Sequence, residues 1–406
     1  MPKKLFSPNL LYCRPFHQQP TPAAIGVEAR DRKNEYGDSL MTTHVYWAPG
    51  RVNLIGEFTD LSGGPVLPAA LDLGVRIEAE PAETIALHSR ELAGATALAP
   101  DGTPLGSETG GWARYVAAVA SELALLGRRA VGLEGEVSST LPIGAGLSSS
   151  AALEVAVGLA LCEVADFSLA PMELAQAARR AEHRAVGVPC GILDQAASVL
   201  GRAGFATLLE TGSLAYEYVP LPKEIALVIV DSGVSRRLES SGYGARREEL
   251  ERALAALAGR DPRELTVAQV DEIADAGELD PIAARRLRHV VGESERVYEV
   301  ARLLRDPSAA NLQRLGEVFR EGHESLRLDW EATTPELDLL VELAYEHGAV
   351  AARMTGGGFG GSIVVLAWAK EARALAEAVV TAYGKRGDTP ARAYVCRASD
   401  GARRIS

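Results

Sequence analysis

A glycine- and serine-rich stretch, residues 141–153, carries the groups that could bind phosphate. Its two glycines and three consecutive serines are Gly144, Gly146, Ser148, Ser149 and Ser150. Serine is a good helix N-cap residue, and the free N–H groups and dipole at the start of a helix attract anions. An alanine-rich run follows and predicts such a helix, whereas the lysine of the common P-loop is missing. The stretch therefore predicts a phosphate-binding turn, with a strand–turn–helix corner without a ligand as the alternative.

The segment at residues 45–64 places charged side chains among glycines and apolar residues. Arg51, Glu57 and Asp60 fall on expected loop or strand-edge positions. Carboxylates accept hydrogen bonds from hydroxyl groups and a guanidinium group donates them, so the segment suits a sugar or another polyol. A solvated loop with a surface ion pair is the competing interpretation.

Two further carboxylates follow the serine-rich stretch. The pattern over residues 172–185 predicts a helix that contains Glu182, and residues 187–195 begin another helix. Asp194 would lie in the first turns of this second helix, where the helix dipole favours a negative charge. For Glu182, a solvated helix face is the alternative.

A late glycine-rich run, residues 355–361, matches the spacing Gly-x-Gly-x-x-Gly. Gly356, Gly358 and Gly361 supply the match, and Gly357 lies between the first two. A dinucleotide-binding fingerprint must be followed by a helix, but residues 362–368 have the pattern of a strand. The sequence therefore argues against a Rossmann fold. It predicts a turn between two antiparallel strands that can lie close to a ligand.

The elements that must position these residues alternate between strands and helices, which indicates an α+β fold. Strands are predicted at residues 75–79, 85–89, 205–210 and 225–231, and a helix is predicted at residues 115–126. Helical periodicity dominates residues 242–347.

Three parts are expected along the chain. Residues 1–44 contain five prolines and no sustained period, and form an N-terminal arm that is expected to be disordered. Residues 45–210 would form an N-terminal lobe, and residues 211–406 a C-terminal lobe with the glycine-rich turn. No low-complexity linker separates the lobes, so they are expected to interleave.

The composition limits the classes of function. The 406 residues carry a formal net charge of −12, which argues against non-specific nucleic-acid binding and against docking on anionic lipid. No apolar run is long enough for a transmembrane helix. The four cysteines form no Cys-x-x-Cys pair, and the histidines match no zinc pattern. A cytoplasmic protein with reduced cysteines, and without nucleic-acid or membrane partners, is the expectation.

Three motifs together resemble the signatures of the galactokinase, homoserine kinase, mevalonate kinase and phosphomevalonate kinase (GHMP) superfamily. They are residues 49–57, 141–153 and 354–361, in that order. The first motif, together with residues 187–195, is most similar to the galactokinase family. The resemblance implies a two-lobed α+β fold with the active site in the cleft between the lobes, a sugar and ATP as ligands, and a monomer or homodimer.

The resemblance also implies roles for individual residues. Asp194 would be the general base toward the anomeric hydroxyl of galactose, and Arg51 would neighbour both Asp194 and the transferred phosphoryl group. A guanidinium group there can stabilise charge on the phosphoryl oxygens. The sugar would contact Glu57, Asp60, Gly191 and Tyr243, although a packed surface tyrosine is the alternative for Tyr243.

The same matching positions assign the nucleotide and its ion. ATP would bind the turn formed by Gly144, Gly146, Leu147, Ser148, Ser149 and Ser150. Mg²⁺ would be held by Glu182 and by the hydroxyl of Ser148 or Ser149, since this ion prefers hard oxygen ligands.

Two positions depart from the galactokinase pattern. Phe58 replaces a histidine that lies near O6 of the sugar, and Leu61 replaces a tyrosine. Phenylalanine cannot form the hydrogen bond of the histidine. A galactose-like sugar without O6, such as L-arabinose or a 6-deoxy sugar, is therefore an alternative substrate to galactose. From a different class, a non-catalytic sugar and ATP sensor is the other alternative, although Arg51, Asp194 and the serines are all present.

Overall fold

The computed structural model describes residues 10–12, 43–106, 110–142, 144–187, 190–234, 242–387 and 389–406. Most of the predicted N-terminal arm lies outside the described residues. Within it, Leu10–Tyr12 forms a short strand, and His44 begins the next one.

The described elements follow one another in this order: β1 (Leu10–Tyr12), β2 (His44–Asn53), β3 (Pro65–Val66), β4 (Pro68–Ala82), β5 (Ile85–Ser89), α1 (Ala113–Leu125), β6 (Gly132–Ser139), α2 (Ser149–Val164), α3 (Pro171–Val186), α4 (Leu193–Leu200), β7 (Phe205–Glu210), β8 (Tyr216–Pro220), β9 (Ile225–Asp231), α5 (Tyr243–Ala256), α6 (Val267–Asp275), α7 (Pro281–Arg305), α8 (Ala309–Leu328), α9 (Pro335–Glu346), β10 (Ala351–Thr355), β11 (Ser362–Trp368), α10 (Ala372–Arg386), β12 (Arg392–Cys396) and β13 (Arg403–Arg404). Short 3-10 helices lie at Thr59–Ser62 and Pro262–Glu264.

The first sheet has the strand order β13-β2-β4-β6-β5. Its long strand β4 shows the alternation that predicted a strand at residues 75–79: Val75 and Ile77 are buried, whereas Arg76 and Glu78 are partly exposed. Helix α2 is apolar on nearly all faces because it packs between this sheet and helices α1, α3 and α4. This packing fixes where the serine-rich turn before α2 lies.

The second sheet has the order β1-β12-β9-β11-β10, and helix α10 packs against it. Strand β9 is an apolar run whose central residues are all buried, as the sequence predicts for residues 225–231. Strands β10 and β11 pair antiparallel with Thr355 opposite Ser362, so the late glycine run is a hairpin turn. The rejection of a Rossmann fingerprint is therefore confirmed.

The two lobes exchange segments of chain. Strands β3, β7 and β8 form a small third sheet, and the predicted boundary between residues 210 and 211 falls between the paired strands β7 and β8. After β12 the chain returns to the first sheet, where β13 pairs with β2. The mixed fold of helices and sheets agrees with the predicted α+β class.

Among the described residues, Cys162, Cys190 and Cys396 form no disulfide, and Cys13 lies outside that part of the chain. No helix in the described ranges is long and apolar enough to cross a membrane.

Candidate active site

Arg51 and Asp194 meet although they lie on different elements. Arg51 is near the end of β2, just after an irregularity in its pairing with β4, and Asp194 is in the first turn of α4. Arg51 Nε donates to Asp194 Oδ1 at 2.7 Å, and Arg51 Nη2 lies 2.6 Å from the same oxygen. The remaining arm, Nη1, donates to the carbonyl of Gly146 at 2.8 Å. One guanidinium group thus ties the aspartate to the serine-rich turn.

The serine-rich turn is held tightly against both sheets. The Leu147 carbonyl accepts from the Arg51 amide at 3.3 Å, and the Ala145 carbonyl accepts from the Ser362 hydroxyl at 2.7 Å. Gly144, Gly146 and Ser148 have φ values of 83°, 74° and 58°, in the left-handed region that favours glycine. The backbone therefore turns sharply before helix α2 begins at Ser149.

Ser148 does not cap α2 with its side chain. Its hydroxyl donates instead to Asp194 Oδ2 at 2.5 Å, so both oxygens of Asp194 accept hydrogen bonds from this turn or from Arg51. With no side-chain cap in the described residues, the N–H groups of the first turn of α2 can bind an anion.

Glu182 lies behind the serine turn on α3. Its Oε1 accepts from the Ser150 hydroxyl at 2.9 Å, and its Oε2 accepts from Gln195 Nε2 at 2.7 Å and from Cys190 Sγ at 3.1 Å. The serine that contacts Glu182 is thus Ser150, the third of the three, whereas Ser148 contacts Asp194. Glu182 is fixed in one orientation by these three donors.

Asp60 and Tyr243 lie close enough to Asp194 to interact with its charge, and Gly191 lies against Asp60. A methyl group at Gly191 would overlap Asp60 Oδ2, so glycine permits this close approach. Burial raises the pKa of the Asp60 carboxyl to about 6; the charge of Asp194 adds to the rise and Arg51 opposes it. Burial, followed by the charges of Asp60 and Asp194, also raises the pKa of the Tyr243 hydroxyl. These groups therefore share one electrostatic environment.

Glu57 belongs to a buried ionic cluster. Arg353 Nη2 donates to Glu57 Oε2 at 2.9 Å and to Glu293 Oε1 at 2.5 Å, and Arg353 is 0% exposed. The other Glu57 oxygen accepts from Asn53 Nδ2 at 3.1 Å and from the Gly356 amide at 3.3 Å. Both oxygens of Glu57 are thus engaged by the protein itself.

The pKa values of the two carboxyl groups in this cluster, Glu57 and Glu293, are shifted in opposite directions. Burial raises the pKa of the Glu57 carboxyl, against the effect of the Arg353 guanidinium. Burial also opposes ionisation of Glu293, but Arg353 and Arg296 outweigh it and lower the pKa of that carboxyl.

Sequence reasoning missed Arg353 and Glu293. The available signal was a charged residue inside the apolar strand β10, since a buried arginine requires a carboxylate partner.

Phe58 has a left-handed backbone with φ 69°, and its ring packs into the core of the second lobe. The ring stacks on Trp330 at 4.5 Å between centroids and lies 6.0 Å from Tyr243 and 6.2 Å from His289. It is 6% exposed. Leu61, the other departure from the family pattern, packs against the same core.

The late glycine turn contacts the segment at residues 45–64 through Gly356, whose amide donates to Glu57. Gly358 has φ 70°, and a side chain there would overlap the carbonyl oxygen of Ala332. Gly357 lies between them. The turn therefore supports the cluster around Glu57 from the C-terminal lobe.

Taken together, the predicted residues separate into two groups. Arg51, Asp194, Asp60 and Tyr243 converge with the serine turn, and this set can hold a hydroxyl group beside a carboxylate and an anion beside a helix N-terminus. Glu57 and Phe58 face protein partners.

Three family profiles match the chain: "GHMP kinases N terminal domain" at residues 114–202, "Galactokinase galactose-binding signature" at residues 33–81 and "GHMP kinases C terminal" at residues 303–386. A galactokinase of Pyrococcus furiosus is 36% identical over 354 residues, which cover 87% of this chain and 97% of the relative.

Among solved structures, Lactococcus lactis galactokinase complexed with galactose superposes with a TM-score of 0.82 at 32% identity, covering 89% of this chain and 95% of that one. Mevalonate kinase from L. major in complex with R-mevalonate has a TM-score of 0.62 at 18% identity, covering 89% and 97%, and shows likeness of fold alone.

Proposed function

Because this chain belongs to the galactokinase family of the GHMP kinases, we propose that it transfers the γ-phosphoryl group of ATP to the anomeric hydroxyl of galactose, giving galactose 1-phosphate and ADP. The observation that carries this proposal is the contact of Arg51 with both Asp194 and the serine-rich turn. It joins a carboxylate that can accept a proton to a turn that can hold phosphates.

Asp194 is the proposed general base. Its two oxygens accept from Arg51 and Ser148, which orient the carboxylate. A sugar hydroxyl placed against it can pass its proton to the carboxylate as the new P–O bond forms. How far proton transfer precedes phosphoryl transfer depends on how loose the transition state is.

Arg51 is the proposed stabiliser of the transferred phosphoryl group. The residue is 7% exposed, and its guanidinium group is oriented by Asp194 and by the Gly146 carbonyl. Hydrogen-bond donors that are already in place before the reaction stabilise developing charge without reorganisation.

ATP is the co-substrate of this kinase family, and we propose that its phosphates bind the N-terminus of α2. The residues involved are Gly144, Gly146, Leu147, Ser148, Ser149 and Ser150. The positive φ of both glycines allows the backbone to present its N–H groups at close range.

Mg²⁺ is proposed to accompany ATP at Glu182. The donors there are a carboxylate and serine hydroxyls, which are the hard oxygen ligands that this ion prefers. No cluster of three or more histidine, cysteine, aspartate or glutamate side chains suited to a metal occurs in the described residues, and Mg²⁺ in kinases needs only one or two protein ligands beside phosphates. When bound, the ion would neutralise phosphate charge. Ser148 and Ser149 remain candidates, and the contact of Ser150 with Glu182 adds a third.

The sugar is proposed to lie against Asp60, Gly191, Asp194 and Tyr243. Asp60 can accept hydrogen bonds from sugar hydroxyls, and Gly191 leaves room for the close approach of Asp60. Glu57 and Phe58 would then act at this subsite mainly through packing and charge, because their polar or aromatic groups already have protein partners.

One observation favours a second substrate class, a galactose-like sugar without O6. Phe58 offers no hydrogen bond, and Glu57 already accepts from Arg353, Asn53 and Gly356, which leaves about one of its four acceptor sites for a sugar hydroxyl. A buried O6 hydroxyl without a partner would cost about 1–3 kcal/mol of binding free energy. L-Arabinose or a 6-deoxy sugar avoids that cost.

An assay of ADP release over galactose, glucose, L-arabinose and fucose tests the proposal, together with the variant Asp194→Asn. Galactose should be turned over, and Asp194→Asn should lower kcat by about a hundredfold or more. Asp275→Asn, at an exposed position of α6, is the matched control and should behave as the unmodified enzyme. Turnover of none of these sugars would overturn the proposal, and a preference for L-arabinose would select the second class.

Light scattering on the same preparation tests the prediction of a monomer or homodimer.

A further inference from the structure

Three side chains from three helices converge behind the serine-rich turn. Gln195 on α4 donates from Nε2 to Glu154 Oε2 on α2 at 3.0 Å and to Glu182 Oε2 on α3 at 2.7 Å. Glu154 and Gln195 are both 0% exposed. One amide nitrogen therefore bridges two carboxyl groups in the interior of the protein.

Two oxygens of this group have no hydrogen-bond partner in the described part of the chain: Glu154 Oε1 and Gln195 Oε1. Exchanging the oxygen and nitrogen of the Gln195 amide would not give these atoms partners. The amide oxygen would then face the oxygens of two carboxylates, and neither carboxylate has a proton to donate. A buried polar atom without a partner is costly. A single proton on Glu154 would supply a donor for the Gln195 oxygen and would leave no carboxylate charge to satisfy.

Among the residues that the structure describes, no cation compensates the charge of Glu154. No ion pair of Glu154 is formed with any described residue, and the charged groups that face it are Glu182 on α3 and Asp194 on α4, both acidic. Burial, followed by the charge of Glu182, raises the pKa of Glu154 well above its usual value, and the hydrogen bond from Gln195 opposes this only partly.

We propose that Glu154 is a positioning residue of the active site that works as a neutral acid: it accepts one N–H of Gln195, donates its own proton to Gln195 Oε1, and so fixes the amide whose other N–H holds Glu182. Acid and amide then form a closed pair with two hydrogen bonds. Gln195 follows Asp194 in the chain, so the same pair also anchors the first turn of α4.

This inference rests on the proposed function in one respect, namely that Glu182 acts beside the nucleotide phosphates. Loss of the Glu154–Gln195 pair would let the amide rotate, and Glu182 would lose one of its donors. Indirect support of a metal-binding carboxylate typically changes metal affinity by about 10–100-fold. We therefore expect the KM for Mg·ATP to change far more than the KM for the sugar.

Two substitutions separate the neutral acid from a structural carboxylate. Glu154→Gln keeps one acceptor and one donor and can pair with the Gln195 amide in the same way, so it should keep the KM for Mg·ATP within about threefold. Glu154→Met has a similar length without polar atoms and should raise that KM by about tenfold or more. Thermal unfolding of each variant shows whether a change reflects folding.

The protonation state is measured independently of catalysis by infrared spectroscopy of the full-length protein without nucleotide or metal at pH 8. We expect the carbonyl stretch of a buried carboxylic acid, and this band should disappear in Glu154→Gln. Absence of the band would overturn the inference, as would a Glu154→Gln variant as impaired for Mg·ATP as Glu154→Met, or a Glu154→Met variant equal to the unmodified enzyme. If no sugar is phosphorylated, the proposed function fails, while the infrared band still decides the state of Glu154. If Glu154→Met does not fold, the band and Glu154→Gln decide.

Discussion

Arg51 and Asp194, 143 positions apart in the chain, are in direct contact, with Arg51 Nε 2.7 Å from Asp194 Oδ1. The contact joins the end of a strand in the first sheet to the first turn of α4. The third nitrogen of the Arg51 guanidinium group, Nη1, donates to the Gly146 carbonyl of the serine-rich turn. The Arg51 side chain thus links the proposed base to the proposed phosphate site. Substitution of Arg51 is therefore the most direct test of the mechanism.

Arg51→Lys is expected to lower kcat by about 10²–10³-fold. Lysine keeps a positive charge but lacks the planar fork that reaches both Asp194 and Gly146. Steady-state kinetics with saturating ATP measure the effect. Arg327→Lys, at a surface pair with Glu324, is the control and should leave kcat unchanged. An Arg51→Lys enzyme with normal kcat would contradict the role assigned to this residue.

Gly191→Ala is expected to raise the KM for the sugar by about tenfold or more, because a methyl group there overlaps Asp60 Oδ2 and must displace that carboxylate. Small displacements of positioning groups have large kinetic effects. Gly384→Ala on α10 is the matched control, since a methyl group at Gly384 meets no neighbouring atom. Equal sugar KM values for the two variants would show that Asp60 does not contact the sugar.

Phe58→His is expected to raise kcat/KM for galactose relative to L-arabinose by about five- to tenfold, which corresponds to one recovered hydrogen bond to O6. Phe58→Leu is the control, because it also breaks the stacking on Trp330 but adds no donor. Competition assays with both sugars measure the ratio. A ratio that moves equally in both variants would mean that packing, and not hydrogen bonding, sets the preference.

The pH dependence of folding stability should reveal Asp60. Its pKa is about 6 in the folded protein against an ordinary value of 3.8, so the folded state binds this proton more tightly. Relative to Asp60→Asn, the unmodified protein should be equally stable near pH 3.8 and should lose stability as the pH rises through about 6. The loss should approach about 3 kcal/mol in free energy of unfolding. Urea unfolding between pH 4 and pH 8 measures it, and a difference that is constant over this range would disprove the shift.

Arg353→Met is expected to lower the free energy of unfolding by about 3–5 kcal/mol, because it removes the cation that pairs with Glu57 and leaves Glu293 with Arg296 alone. Adding Glu57→Gln should restore part of that loss, because Glu57 is the carboxylate that loses its cation. Arg305→Met, which removes an exposed pair with Glu217, is the control and should cost less than about 1 kcal/mol. Similar losses for the buried and the exposed arginine would show that the cluster around Glu57 adds no stability.

Much of the architecture could be predicted from the sequence because it depends on local patterns. Strands β7 and β9 begin and end at the predicted residues, since each is a short apolar run between turn signals. Helix α3 covers the predicted residues 172–185 and continues to Val186. The late glycine run could be assigned to a hairpin because a strand pattern follows it. The three motifs also identified the family, which the comparisons confirm.

Partners across long separations were decided only by the tertiary structure. Glu57 meets Arg353 from 296 positions away, and nothing near either residue encodes that contact. Which serine contacts Glu182 depends on the rotation of α2 about its axis. Successive residues of a helix are about 100° apart around that axis, so adjacent serines point in different directions. The pairing of Glu154 with Gln195 likewise requires α2, α3 and α4 to pack at one place. Local sequence specifies the elements, whereas the burial of charges is set by how those elements pack.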